Sequence, residues 1–316
     1  MEVSHRVAVG PVAAMLVLAM AMTTAALNLA PSQVAVLSEC QNQWPTIALP
    51  GWDKGGECGA VYGVECDSYG NIIFMHISEQ PLDGPLPDVI GNLTALTNLL
   101  LTKTNLSGSI PRSFRRLTLL EQLDLSYNTR IKGSIPQALS SLKNLQLLNL
   151  RSMDLAGPFP SWLSGLSTIF SISLVGNRLN GSIPVSIGSA VNLEGFWVWQ
   201  NQFSGAIPES IGSLTGLSDL ELYRNRFTGT IPQGIGNMLN ITSLNLADNY
   251  LTGSIPSNLS RLFRLETLNF GHNEMNGSLP AWITRMTTLK DLDLSYNKFA
   301  GTLPAGLGSL LQLTFL

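Results

Sequence analysis

The sequence is short of charge. Only 12% of its 316 residues are Asp, Glu, Lys or Arg, roughly half the usual share. A net charge of −3 gives no reason to expect nucleic acid, which demands a basic stripe. Histidine is scarce as well: His5, His76 and His272 are widely separated, so they cannot assemble a metal site or a catalytic triad. There is no Gly-rich phosphate loop, no kinase Lys, HRD or DFG motif, and no Gly-x-Ser-x-Gly elbow. No enzyme activity and no cofactor are expected. What the chain does have is a hydrophobic share of 45%, with 29 Gly and 17 Pro. That much apolar content argues against disorder.

Beyond the N-terminus, no apolar run approaches the ~18–20 residues of a spanning helix. At the N-terminus, Arg6 precedes an apolar run through Met22, and small residues follow at Thr24 and Ala26. Residues 1–26 therefore read as a cleavable secretory signal rather than an anchor, which makes the mature chain extracellular. Three cysteines follow, Cys40, Cys58 and Cys66. A secretory route favours a disulfide. Cys58 and Cys66 are the closest pair; Cys40 is left free, paired between chains, or in place of one of the other two.

The dominant signal is a repeat. ITSLNLADNYLTGSIPSNLSRLFR, LETLNFGHNEMNGSLPAWITRMTT and LKDLDLSYNKFAGTLPAGLGSLLQ succeed one another at 24-residue spacing from Ile241. Projected backwards, periods begin at Ile72, Leu96, Leu120, Leu145, Ile169, Leu193, Leu217, Ile241, Leu265 and Leu289. Only the Leu120 period is longer, at 25 residues, with its extra residue in NTRIKG from Asn128. Apolar residues recur at places 1, 4, 6, 11 and 15 of the period, Asn at 9, Gly at 13 and Pro at 16. Places 4 and 6 alternate with mostly polar neighbours, which is strand periodicity with one buried face. Gly at 13 allows backbone angles closed to other residues, and Pro at 16 fixes its own. Asn128, Asn177, Asn201, Asn225, Asn249, Asn273 and Asn297 share place 9 and are expected to stack as a ladder of buried amides. Gln80, Thr104 and Met153 interrupt it, so the first four coils should be less regular. One coil cannot bury its own apolar edge, whereas stacked coils share a continuous core.

The form LxxLxLxxNxLxGxIP resembles the plant-type leucine-rich repeat of receptor-like kinases and receptor-like proteins. Residues 27–71 resemble that family's N-terminal cap, with Trp52, Cys58, Gly63, Val64 and Cys66 in its pattern and Val61 where a second Trp is usual. Upstream, Val34, Leu37, Gln41 and Trp44 fall on roughly one helical face, matching the cap helix. The resemblance implies an α/β repeat solenoid, a horseshoe or superhelix with a concave parallel sheet and a convex side of short 3-10 turns and loops. Residues 72–316 then hold ten repeats and the start of an eleventh at Leu313. The last coil has no polar cap, so the array is expected to continue in a longer product. Only sequence after Leu316 would connect it to a membrane. In the resembling family more repeats, a spanning helix and often a cytosolic kinase follow.

Places 3, 5, 7 and 8 should point into the concavity, where solenoids usually bind. Place 7 runs Ser78, Thr102, Ser126, Arg151, Val175, Trp199, Tyr223, Ala247, Gly271 and Ser295. Trp199 and Tyr223 should be neighbours, with Trp197 on the same face and Glu221 and Arg224 at its border. Aromatics edged by charge have the composition of binding hot spots. Trp197, Trp199, Tyr223, Glu221, Arg224 and Arg151 are therefore the candidate site for a peptide or protein ligand, or a co-receptor ectodomain. Carboxylates paired as Asp219/Glu221 and Asp291/Asp293 read as solvated surface, not as a glycosidase pair. Six glycosylation sequons, at Asn92, Asn105, Asn180, Asn240, Asn258 and Asn276, all avoid place 9. Sugars there would coat the flanks and leave the strand face free. A receptor kinase ectodomain and a secreted inhibitor of cell-wall hydrolases are the alternative functions.

Overall fold

The computed structural model describes residues 28–53 and 56–314. The expected signal segment, residues 1–26, lies outside them. Among the described residues no helix is long and apolar enough to cross a membrane.

The repeating coil runs strand, turn, second strand, 3-10 turn. The first strands of the coils form a sheet of eleven strands in sequence order. Ten of them are parallel, from Ile72–Ser78 to Asp291–Asp293, and pair place for place; Phe196 faces Leu220, and Leu220 faces Leu244. The eleventh, Val64–Cys66, comes from the cap and pairs antiparallel with Ile72–Ser78. It covers the N-terminal edge that a parallel sheet would otherwise leave open.

The sides of the coils differ from the sequence expectation. A second parallel sheet of seven strands stands beside the first, from Ser107–Gly108 to Tyr250–Thr252, and a two-stranded extension joins Asn276–Gly277 to Lys298–Phe299. These strands are two to five residues long, and seven of the nine contain the place-13 glycine, a residue that weakens a strand. In nine coils that glycine has φ between +73° and +99°, from Gly108 to Gly301. Gly84 of the first coil is different. Its φ is ordinary, and a Cβ there would run into the backbone oxygen of Gln43 and the ring of Trp44. It is needed where the cap presses on the first coil. A 3-10 turn follows each place-16 proline; Pro208, for instance, precedes Glu209–Ser213.

A single apolar core runs through all coils. Phe196, Val198 and Phe203 are fully buried. Phe159 meets Phe196 and Phe203 edge-on or tilted at 6.2 and 6.1 Å, and Phe203 stacks on Phe227 at 6.5 Å.

The asparagines line this core as a polar seam. Asn201 donates from Nδ2 to the carbonyls of Val198 (3.2 Å) and Leu174 (2.9 Å), and its Oδ1 accepts the Leu179 N–H (3.0 Å). Each ladder amide thus ties its own place-6 carbonyl to the same carbonyl and the place-11 N–H of the preceding coil. The lapses do less harm than expected. Thr104 is fully buried, and its hydroxyl donates to Asn128 Oδ1 at 2.9 Å, while its backbone oxygen accepts the Leu82 N–H. Where Met153 replaces asparagine, the Ile131 N–H of the preceding coil bonds Asn128 C=O at 3.0 Å instead. That turn uses the extra residue of NTRIKG, so insertion and missing amide compensate one another. The first strands, Ile72–Ser78 and Asn98–Thr102, are longer than the three-residue strands further on, not less regular.

In the cap, the helix Pro31–Gln43 buries Gln33, Val36, Leu37 and Cys40. This face is rotated from the expected one. Val34 is only half-buried, and Gln41 instead fixes the turn after the helix by bonding Ile47 C=O and Leu49 N–H. Trp44 and Trp52 are fully buried 5.4 Å apart, and their ring N–H groups donate to Pro85 and Tyr62 carbonyls. Cys58 and Cys66 are joined, and Cys40 is a free buried thiol. Burial pushes that thiol well above its ordinary range, so it is a core residue and not a nucleophile.

Candidate functional site

The first two of the ten strands end at place 7 and the others at place 5, and at place 8 the chain turns sharply. At place 8 all ten coils have positive φ, between +51° and +66°, from Glu79 to Tyr296, although only Gly176 is glycine there. The turn lets the hydrogen-bond ladder continue beyond the strand; Gln200 N–H donates to Tyr223 C=O, and Arg224 N–H to Ala247 C=O, each at 3.0 Å. It also swings place 8 onto the same outer face as place 7. Place 8 is expected on this face; the left-handed backbone that puts it there has no mark in residue type outside Gly176.

On that face the six candidate residues lie together, and the turn adds Tyr127 and Lys103. Trp199 and Tyr223 stack at 4.8 Å with planes 13° apart. Arg151 places its guanidinium 5.2 Å from the Trp199 ring centre and 5.4 Å from that of Tyr127. Lys103 continues the row 5.6 Å from Tyr127. The result is a ridge, a row of cations and rings (Lys103, Tyr127, Arg151, Trp199 and Tyr223) held by cation–π contacts and one stacked pair. Val175, which its place assigns to the displayed face, is buried at 3% exposure, and Ser126 and Ala247 are buried as well.

Trp197 behaves differently from Trp199. Its ring lies back over Gly195, where a Cβ would collide with it, and it is half-buried. Strand register puts it beside Glu221. Glu221 is not the solvated carboxylate its position suggested. Burial is the main cause that pushes its pKa up to about 7, and the Asp219 charge adds to it; the Ser243 hydroxyl, donating at 2.7 Å, opposes it. Burial likewise raises Tyr223 to about 12, so its O–H stays neutral. Arg224 pairs with Asp248 at 3.5 Å on the surface, where such a pair is worth little. Downstream, His272 and Tyr296 at place 8 form a second stack at 4.1 Å.

No group of three or more His, Cys, Asp or Glu among the described residues is placed to hold a metal ion. The six sequon asparagines, Asn92, Asn105, Asn180, Asn240, Asn258 and Asn276, are all exposed. They lie on the second-sheet flank, on the 3-10 side or just before the first strands, away from the ridge.

Profiles described as Leucine rich repeat match residues 94–155 and 239–299, and a further Leucine Rich Repeat profile matches 216–238. Receptor-like protein 32 of Arabidopsis thaliana is 35% identical over 111 residues, covering 28% of this chain and 13% of that protein. The leucine-rich repeat receptor-like serine/threonine-protein kinase RGI4 of Arabidopsis thaliana is 36% identical over 92 residues, covering 28% of this chain and 8% of its own length. The chain thus spans a small part of the curated relatives it matches. Among solved structures, a plant peptide hormone receptor, RGFR1 in complex with RGF2, aligns with TM-score 0.70 and 33% identity over 73% of this chain and 37% of that one. A plant ice-binding protein aligns with TM-score 0.75 and 25% identity over 89% of this chain and 91% of its own.

Proposed function

Since the chain is a leucine-rich repeat protein of the plant receptor-like type, we propose that it is a non-catalytic extracellular recognition module for a peptide or protein partner. The partner lies along the outer face of the eleven-stranded sheet, on the ridge of Tyr127, Arg151, Trp199 and Tyr223. The observation that carries this reading is the ridge itself. Rigid aromatic residues with a central arginine, surrounded by small side chains, are the arrangement of binding hot spots. A solved neighbour of the same fold is a peptide hormone receptor with its peptide. Residues 1–26 serve as the signal, 27–71 as the cap and 72–316 as the repeats. Glycans on the exposed sequons leave the ridge open. A co-receptor ectodomain is a second partner of the same surface class.

The test is capture of candidate peptides and ectodomains by the secreted chain and by Trp199→Ala and Tyr223→Ala. Each substitution should weaken capture at least about tenfold while the thermal midpoint moves little. Unchanged capture by both variants would sink the ridge as the site. The alternative of a hydrolase inhibitor is checked in the same preparation: a polygalacturonase inhibitor of Vitis vinifera is 35% identical over 81 residues, and inhibition of a cell-wall hydrolase by this chain would replace the receptor-like reading.

A further inference from the structure

A hollow of about 470 Å³ lies at the cap, where the cap strand Val64–Cys66 meets the first strand, Ile72–Ser78. That volume suits a small organic group. Phe74 and His76 of the first strand line it, with their rings edge to face and their centres 6.0 Å apart. Tyr62 and Glu65 line it from the cap, and both are exposed. Val61, which stands where the cap pattern has Trp, lines it with a smaller side chain. Backbone holds the two parts together. The His76 N–H donates to Gly63 C=O at 2.7 Å, and a Cβ at Gly63, where φ is +69°, would collide with the His76 carbonyl oxygen. The hollow is therefore fixed by strand pairing.

The repeat does not require these side chains. Place 3 carries Asn98, Gln122, Ser171, Ser243 and Thr267 in later coils, and Phe74 is the only aromatic residue there. Glu65 takes part in none of the six ion pairs among the described residues. Together the groups select by charge. An anion would be repelled by the Glu65 carboxylate. A neutral apolar group would strip water from that carboxylate and return nothing to it. A cation gains from the carboxylate and from ring faces, whose quadrupole attracts positive charge.

We propose that this cap hollow is a binding site for an organic cation, with Glu65 as its counter-charge and Tyr62 and Phe74 as its aromatic walls. His76 braces Phe74 edge-on. The cation is an ammonium, from a Lys side chain or an amino chain end, or a guanidinium, from Arg. The site is separate from the ridge, whose Tyr127 lies two coils further on, and neither depends on the other.

The test is nuclear magnetic resonance of the full secreted chain with isotope-labelled histidine. Beyond residue 26 the chain has only His76 and His272, one in the hollow and one eight coils away. Butylammonium, ethylguanidinium and neutral butanol are titrated at matched sodium chloride. One or both cations should shift the His76 ring signal along a saturating curve, while His272 stays still and butanol does little. The tighter cation identifies the source as ammonium or guanidinium. Glu65→Gln keeps the shape and removes the charge. Phe74→Ser installs a residue type that place 3 already carries at Ser171 and Ser243. Each should weaken the preferred cation about fivefold or more, with thermal midpoints close to the parent's; Glu65→Gln decides alone if Phe74→Ser fails to fold. No saturating shift, equal shifts from butanol, equal movement of His272, or parent-like binding by the folded variants would each overturn the site.

Discussion

Glu221 holds a proton that its sequence position does not advertise. Its pKa is raised from 4.5 to about 7. Between those values the folded chain keeps a proton that the unfolded chain has released. Stability therefore falls as pH climbs through that window and levels off above it. Glu221→Gln removes this contribution. The variant should gain thermal midpoint over the parent at about pH 8 and little at about pH 5; an equal difference at both would contradict the burial argument. Asn225 is the opposite case, a polar group whose burial is fully answered. It donates to Leu222 and Val198 carbonyls and accepts the Phe203 N–H. Asn225→Ala strands these groups and should cost about 2–4 kcal/mol in urea unfolding. At place 8, Ser152 has φ of +54°, a conformation that glycine adopts without strain. Ser152→Gly should be neutral or slightly stabilising by the same measurement, and Ser152→Val should lose about 1–3 kcal/mol.

At the scale of the coil, the first strand was legible and the second was not. Places 4 and 6 alternate cleanly with polar residues, so Phe196 and Val198 could be assigned to the core and Trp197 and Trp199 to the face. The second strand is too short for such alternation, and its glycine looks like an end. The ridge was half legible. Trp199, Tyr223 and Arg151 followed from counting down place 7. Tyr127 stands at place 8, which shares the expected face but falls outside a count down place 7. Nor could counting tell that Trp197 would fold over Gly195, or that a crowded surface would desolvate Glu221. The irregular coil offers a direct check on how elements compensate. Met153→Asn alone should not stabilise, because the Ile131 N–H already has Asn128 C=O as acceptor. Combined with deletion of Thr129, which restores the 24-residue spacing, the same substitution should complete the ladder. A double-mutant cycle should show coupling of about 1 kcal/mol or more between the two changes; strict additivity would refute the compensation.

For the whole molecule, the register matters more than the length. Among the described residues, five of the six ion pairs join residues 24 positions apart, such as Lys290 with Glu266 and Lys298 with Glu274. Excision of residues 241–264, one full period, should leave a folded, shorter solenoid with a smaller urea m-value. Excision of 241–252 should not fold, since it sets strands against turns; far-ultraviolet circular dichroism separates the two outcomes. The asparagine seam also has a direction. Every ladder amide reaches back to the coil before it, as Asn249 does when it accepts the Phe227 N–H, and that N–H has to wait for chain made later. A ribosome delivers the earlier coil first, so during synthesis each coil emerges with one backbone donor still unanswered until the next 24 residues arrive. Folding of the nascent chain then trails elongation by one period, and the growing end always carries a coil ready to take the next.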